Sequence, residues 1–185
     1  MLVLLALLPL MEKRPERIDC CKMGMRFDYF HRRPGDEMMH VFIAGLMQGS
    51  REDHLIDAQD YRSRITQALQ VHVPGVKITD PYGLHPDSIN YGLEKVRDTF
   101  VSMADLAGEA DVLIAYLPQA SMGTAIEMWT AFNANKYIIV VTPLKHNWVV
   151  RVTADEILPD LDTLLKQIEN GRLAQLLDRR RLSPD

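Results

Sequence analysis

The chain has 185 residues, room for one domain of ordinary size, and its 47% hydrophobic and 25% charged content is a globular balance far from disorder. A net charge of −4 argues against a nucleic-acid-binding surface, so no nucleic-acid partner is expected. Cys20 and Cys21 are neighbours and build no disulfide framework, which makes a reducing cytoplasm the simplest setting.

The apolar run at residues 1–10 is too short to span a bilayer. It also lacks the preceding basic residue and the following small-x-small site of a secretory signal, so no membrane partner is expected. A charged, patternless stretch follows at 12–17, and residues 1–36 are expected to form an extension outside a single domain at 37–185. Pro34-Gly35-Asp36 reads as a turn before the first clear element.

Residues 39–45 form a continuous apolar run ending in glycine, the pattern of a strand buried on both faces of a parallel sheet. Ser50 and Asp53 make a capping-box-like helix start. Ala58, Tyr61, Ile65 and Ala68 then recur at helical spacing up to about Val71. Pro74-Gly75 breaks the helix, and 76–79 reads as the second strand. After a turn-rich loop at 80–87 comes a helix with the apolar stripe Val96, Phe100, Met103 and Ala107. Residues 111–117 are the third strand and the clearest one. Pro118 stops it, and Ser121 caps a third helix with Ala125, Trp129 and Phe132 on its apolar face. Asn135-Lys136 ends that helix before a fourth strand at 137–142. Residues 148–154 fit strand or helix equally. Leu158, Leu161, Leu164, Leu165 and Ile168 mark a closing helix that extends through Leu173 and Leu177.

This alternation predicts an α/β fold, a flavodoxin-like doubly wound parallel sheet of four to five strands with helices on both faces. The chain is too short for the eight units of a barrel. Ligands of such sheets bind outside the carboxyl ends of the strands, here the loops 45–51, 79–88, 117–124 and 142–148.

Two of these loops carry candidate chemistry. At the first, Gly45, Gln48, Gly49 and Ser50 could present backbone N–H groups to an anion. The spacing matches neither GxGxxG nor a P-loop, and a plain strand-to-helix turn reads the same way. At the third, Ser121, Gly123 and Thr124 open a helix whose second turn holds Glu127, out of phase with Ala125 and Trp129. A carboxylate near the rim suits general-base work or direct attack on an electrophilic carbon, although a solvated helix glutamate has the same spacing. The six histidines show no metal-ligand spacing, so no metal and no cofactor are expected; His85 and His146 fall on carboxyl-end loops.

The strand at 111–116, the helix start Ser121-Met122-Gly123-Thr124-Ala125-Ile126-Glu127 and the opening strand Val41-Phe42-Ile43-Ala44-Gly45 together resemble a known signature. It is that of nucleoside 2-deoxyribosyltransferases and the related deoxynucleoside monophosphate N-glycosidases, and the resemblance covers roughly residues 39–150. It implies that Glu127 is a nucleophile toward C1′ of a (deoxy)ribosyl group. The base leaves, a glycosyl ester forms, and a second base or water takes the sugar. The implied substrate is a nucleoside or its 5′-monophosphate. A transferase is the first reading, with a nucleoside monophosphate N-hydrolase or an inactive nucleotide-binding module as alternatives. The resemblance also implies a homo-oligomer in which a polar residue after the fourth strand, best matched by Asn147, completes a neighbour's pocket beside Trp148.

The sequence departs from the family pattern at several places. Phe42 stands where members usually carry a tyrosine that hydrogen-bonds the nucleophile. Ser121 stands where transferases often have aspartate; in the monophosphate branch a serine there contacts the 5′-phosphate. That branch's first-loop serine and arginine are replaced by Leu46 and Gln48, and Met103 holds the place of the base-contacting aspartate.

Overall fold

The computed structural model describes residues 38–47, 58–173 and 175–176. The expected extension at 1–36, the Ser50/Asp53 helix start and the candidate residues Gln48, Gly49 and Ser50 lie outside them. Five strands, β1 (His40–Gly45), β2 (Lys77–Thr79), β3 (Val112–Tyr116), β4 (Tyr137–Val141) and β5 (Glu156–Leu158), form one parallel sheet in the order β2-β1-β3-β4-β5. Helices α1 (Asp60–His72), α2 (Pro81–Leu84), α3 (Leu93–Glu109), α4 (Met122–Asn133), α5 (Trp148–Thr153) and α6 (Leu161–Glu169) connect and cover it.

Side chains alternate across each strand, so the continuous apolar runs split into two cores. Val41 and Ile43, Val112 and Ile114, and Ile139 and Val141 face α1 and α6. Phe42 and Ala44, Leu113 and Ala115, and Ile138 and Val140 face α3, α4 and α5. This is the expected doubly wound, flavodoxin-like arrangement.

Two aspartates stitch the amino edge of the sheet. Asp111 accepts from the backbone N–H of His40 at 2.8 Å through Oδ2 and donates its own N–H to the His40 carbonyl. Asp155 does the same with Ile138, again at 2.8 Å through Oδ2. The Asp111 of the third-strand motif is therefore a register lock between β1 and β3.

The structure corrects several sequence expectations. Ala58 precedes α1 and Val71 is exposed; the helix buries Tyr61, Arg62, Ile65 and Leu69. Val96 and Phe100 of the α3 stripe are 42% and 49% exposed, whereas Met103 and Ala107 are buried. A 17-residue helix is about 26 Å long and a five-residue strand about 17 Å, so α3 is about 9 Å longer than the strand it leads into. On α4 the buried set is Thr124, Met128, Ala131 and Phe132; Trp129 is 44% exposed and stacks on Phe132. Residues 148–153 are helical because Asn147 caps them. Leu158 closes β5 instead of opening the last helix, which starts at Leu161 under an Asp160 cap.

Candidate functional site

β1 and β3 are neighbours, with Gly45 opposite Tyr116, so the exit of β1 and the start of α4 lie at the same carboxyl edge. Ser121 begins α4 as predicted. Its Oγ accepts from the Thr124 N–H at 3.3 Å and from the Thr124 hydroxyl at 3.1 Å. Thr124 is consequently buried, a packing and capping residue of the first turn. Gly123 faces open space: a Cβ added there would meet nothing within 4 Å.

Glu127 stands one turn further on, three residues after Thr124 and one before the buried Met128, which places it at the border of the buried face. It is half-buried. Burial pushes its carboxyl up from the ordinary 4.5 to about 8, against the opposing pull of the Arg62 charge.

That arginine is the centre of the edge. Arg62 is 2% exposed and its guanidinium forks to four acceptors. Nε donates to Gln59 Oε1 at 2.6 Å, and one terminal nitrogen to the Ile43 carbonyl at 2.8 Å and Asp80 Oδ1 at 2.6 Å. The other terminal nitrogen reaches the Gly45 carbonyl at 3.3 Å. Gln59 in turn donates to the Leu46 carbonyl at 2.9 Å. Tyr61 stacks on Tyr116 with centroids 4.4 Å apart, and its hydroxyl points at the Leu46 carbonyl, 3.4 Å away. Burial, opposed by Arg62 and reinforced by Asp80 and Glu127, holds the Tyr61 phenol well above its usual range.

The glycine that ends β1 has its reason here. A Cβ on Gly45 would stand 2.9 Å from Tyr61 Cζ and closer still to the hydroxyl, so Tyr61 can lie across the strand exit only because residue 45 has no side chain.

A cavity of about 670 Å³ opens on the α1–α6 side of this edge, lined among others by Leu46, Tyr61, Tyr116, Pro118 and Gln119. Glu127 is not among the residues that line it. The polar groups on its far wall are committed elsewhere: Asp162 pairs with Arg64 at 2.6 Å, and Asp160 caps α6 at 2.8 Å from the Thr163 nitrogen. Burial desolvates both Tyr61, which lines this cavity, and Glu127, the one carboxyl of the two.

The remaining candidates are more dispersed. Asn147 is exposed and its Oδ1 caps α5, accepting from the Val149 and Val150 nitrogens at 2.9 and 3.5 Å. Trp148 beside it is 82% exposed. His85 Nδ1 lies 3.2 Å from the Tyr91 hydroxyl, and His146 is exposed. Among the described residues no three His, Cys, Asp or Glu side chains cluster to hold a metal ion, and no helix is long and apolar enough to cross a membrane. Sequence reasoning missed Arg62, Gln59 and Asp80. The signal was an arginine three and seven residues before Ile65 and Leu69, on the face of α1 that packs on the sheet.

No protein-family model and no curated protein matches the chain. Solved structures do. A 2-deoxyribosyltransferase from Bacillus psychrosaccharolyticus superposes with a TM-score of 0.54 at 16% identity, over 74% of this chain and 95% of that one. The fold resembles that of a 2-deoxyribosyltransferase. A conserved protein from Enterococcus faecalis V583 gives a TM-score of 0.51 at 15% identity, over 72% of this chain and 98% of its own. A CMP N-glycosidase from Clostridium botulinum gives 0.43 at 17% identity, over 71% and 98%. At such identities the likeness establishes the fold, and the chemistry has to be argued from the side chains.

Proposed function

We propose that the chain cleaves or transfers at the N-glycosidic bond of a (deoxy)nucleoside or its 5′-monophosphate, with Glu127 as the group that meets C1′. The observation that carries this reading is a half-buried carboxyl on the second turn of α4, a helix that starts at the carboxyl edge, within electrostatic reach of Arg62. The likeness in fold to a 2-deoxyribosyltransferase supports it. In the first step the Glu127 carboxylate bonds to C1′ while the C–N electron pair leaves with the base. In the second, a base nitrogen or water attacks C1′ and the carboxylate departs. The transition state carries positive charge at C1′, and a carboxylate poor in solvent stabilises that charge more than a hydrated one does. Phe42 has no hydroxyl and is fully buried in the α3–α4 core; Tyr61 brings a phenol to the carboxyl edge from α1.

A 5′-monophosphate substrate is favoured by the start of α4, where Ser121 stands beside the open space at Gly123 and a helix N-terminus favours anions. The reading also includes a homo-oligomer. Trp148, Val149 and Val152 of α5 are exposed, as are Leu93 and Phe100 of α3, and such apolar side chains suit an interface between copies of the chain. Asn147 then faces the neighbour with its amide nitrogen, its oxygen being the α5 cap.

The test is a panel of nucleosides and nucleoside monophosphates, with and without free bases, followed by chromatography. Release of free base alone identifies a hydrolase and a new nucleoside a transferase. Binding without turnover identifies a nucleotide-binding module. Glu127→Ala should abolish turnover, and retained activity on a confirmed substrate would remove Glu127 from the mechanism.

A further inference from the structure

The cavity of about 670 Å³ has the size of a small-molecule site and lies where parallel sheets bind ligands, at the exits of β1 and β3. Its inner lining includes Leu46 and Leu161, both buried, and the half-buried ring of Tyr116. Tyr116 is held in place by its stack on Tyr61, which in turn lies across Gly45, so the aromatic wall is set before a ligand arrives. The rim is different. Among the described residues its charged groups are the exposed Asp60, Asp160 and Asp162 against Arg64. Asp60 stands in the first turn of α1, and Asp160 and Asp162 open α6. A helix start ordinarily favours an anion, but here both helices fill that place with their own carboxylates. Arg64 offsets one of them through its 2.6 Å pair with Asp162, and an excess of negative charge remains. The bonds made by Asp160 and Asp162 use Oδ1, so each carboxylate keeps an oxygen that can accept from a ligand. We propose that this cavity binds a small aromatic amine, its ring against Tyr116 and its ammonium group among Asp60, Asp160 and Asp162, and that it rejects the corresponding acid.

The inference is independent of the glycosidic reading, since neither Glu127 nor Ser121 lines the cavity. It makes two demands of opposite sign on exposed side chains. Removing the charge of Asp160 must weaken an amine, and asparagine at that position still caps α6. Removing Arg64 must strengthen the amine, because Asp162 then loses the cation that occupies it. A site that recognised only the ring would respond to neither change.

The experiment is an amide NMR titration of the labelled full chain at neutral pH with three probes that share one ring: tryptamine, indole-3-ethanol and indole-3-acetate. Tryptamine is expected to bind about tenfold or more tighter than indole-3-acetate, with the uncharged alcohol between them and the shifts centred on Leu46, Tyr116 and Gln119. Asp160→Asn should weaken tryptamine about threefold and Arg64→Gln should tighten it by a similar factor, the size expected of exposed charges. Ala58→Trp, which puts an indole into the cavity from the exposed residue before α1, should abolish binding of all three. Indole-3-acetate binding as tightly as tryptamine, no binding of any probe at millimolar concentration, or shifts centred outside the cavity would overturn the proposal. So would Asp160→Asn and Arg64→Gln changing the tryptamine affinity in the same direction or leaving it unchanged.

Discussion

Replacing Glu127 with glutamine should strengthen the fold at neutral and alkaline pH while removing activity. The carboxyl ionises near 8 in the folded chain against 4.5 ordinarily, so the unfolded chain gives up its proton first. The native state is then favoured below about pH 4.5 and loses that advantage as pH rises to 8, because the folded carboxyl must either hold its proton or ionise out of water. At about 1.4 kcal/mol per pH unit, the cost relative to glutamine is about 3 kcal/mol at pH 7 and about 4 kcal/mol at pH 8, both as upper limits for a half-buried group. At pH 5 it falls below about 1 kcal/mol. Urea unfolding of wild type and Glu127→Gln at pH 5 and pH 8 measures this directly. The variant should be the more stable at pH 8, with the gap nearly closed at pH 5 and the urea slopes alike. A gap of the same size at both pH values, or a wild type that is the more stable at pH 8, would refute the reasoning that burial dominates at this carboxyl.

The same ionisation governs turnover: a nucleophilic Glu127 must be charged, so kcat/KM on a confirmed substrate should rise with pH through about 8, whereas a fall across that range would make the group a proton donor. Gly45→Ala should cost about 1–3 kcal/mol in urea unfolding, because the new methyl group meets the Tyr61 ring and hydroxyl. Wild-type stability in that variant would show that Tyr61 does not lie across the strand exit. Ser121→Ala should cost about 1 kcal/mol through the lost α4 cap. It should also weaken a monophosphate substrate more than the matching nucleoside, and equal effects on both would place the phosphate elsewhere. Light scattering at micromolar concentration should give a multiple of the chain mass, and a clean monomer would sink the homo-oligomer.

The strands that are buried on both faces could be read from sequence because nothing polar interrupts them, and β1, β3 and β4 lie within a residue or two of their apolar runs. β5 was not legible. Its three residues, Glu156-Ile157-Leu158, are too few to show a period, and Leu158 falls in helical phase with Leu161 and Leu165. The apolar stripe of α3 is a face of the helix of which only Met103 and Ala107 are buried, since periodicity reports direction and not depth. On α4 the phase inferred from Ala125 and Trp129 is rotated: the inward positions are Thr124, Met128 and Ala131, which brings Glu127 to the border of the core instead of the open side. Arg62 is a charge set among apolar spacings, and its partners are polar groups that only the fold assembles: two strand carbonyls, Gln59 and the aspartate after β2.

The paired bonds of Asp111 and Asp155 have a bearing on how this scaffold can be altered. Each aspartate directly precedes or adjoins a strand start and clasps the first residues of the neighbouring strand, so the helix-to-strand connections leading into β3 and β5 cannot be lengthened or shortened by a residue without opening a clasp and sliding the pairing. The connections leaving β3 and β4 are tied by a different bond, the Thr142 hydroxyl donating to the Leu117 carbonyl at 2.6 Å. Insertions into the connections that enter β3 and β5 should therefore slide the strand pairing, whereas exchanged loops that begin beyond Leu117 and Thr142 leave these bonds intact.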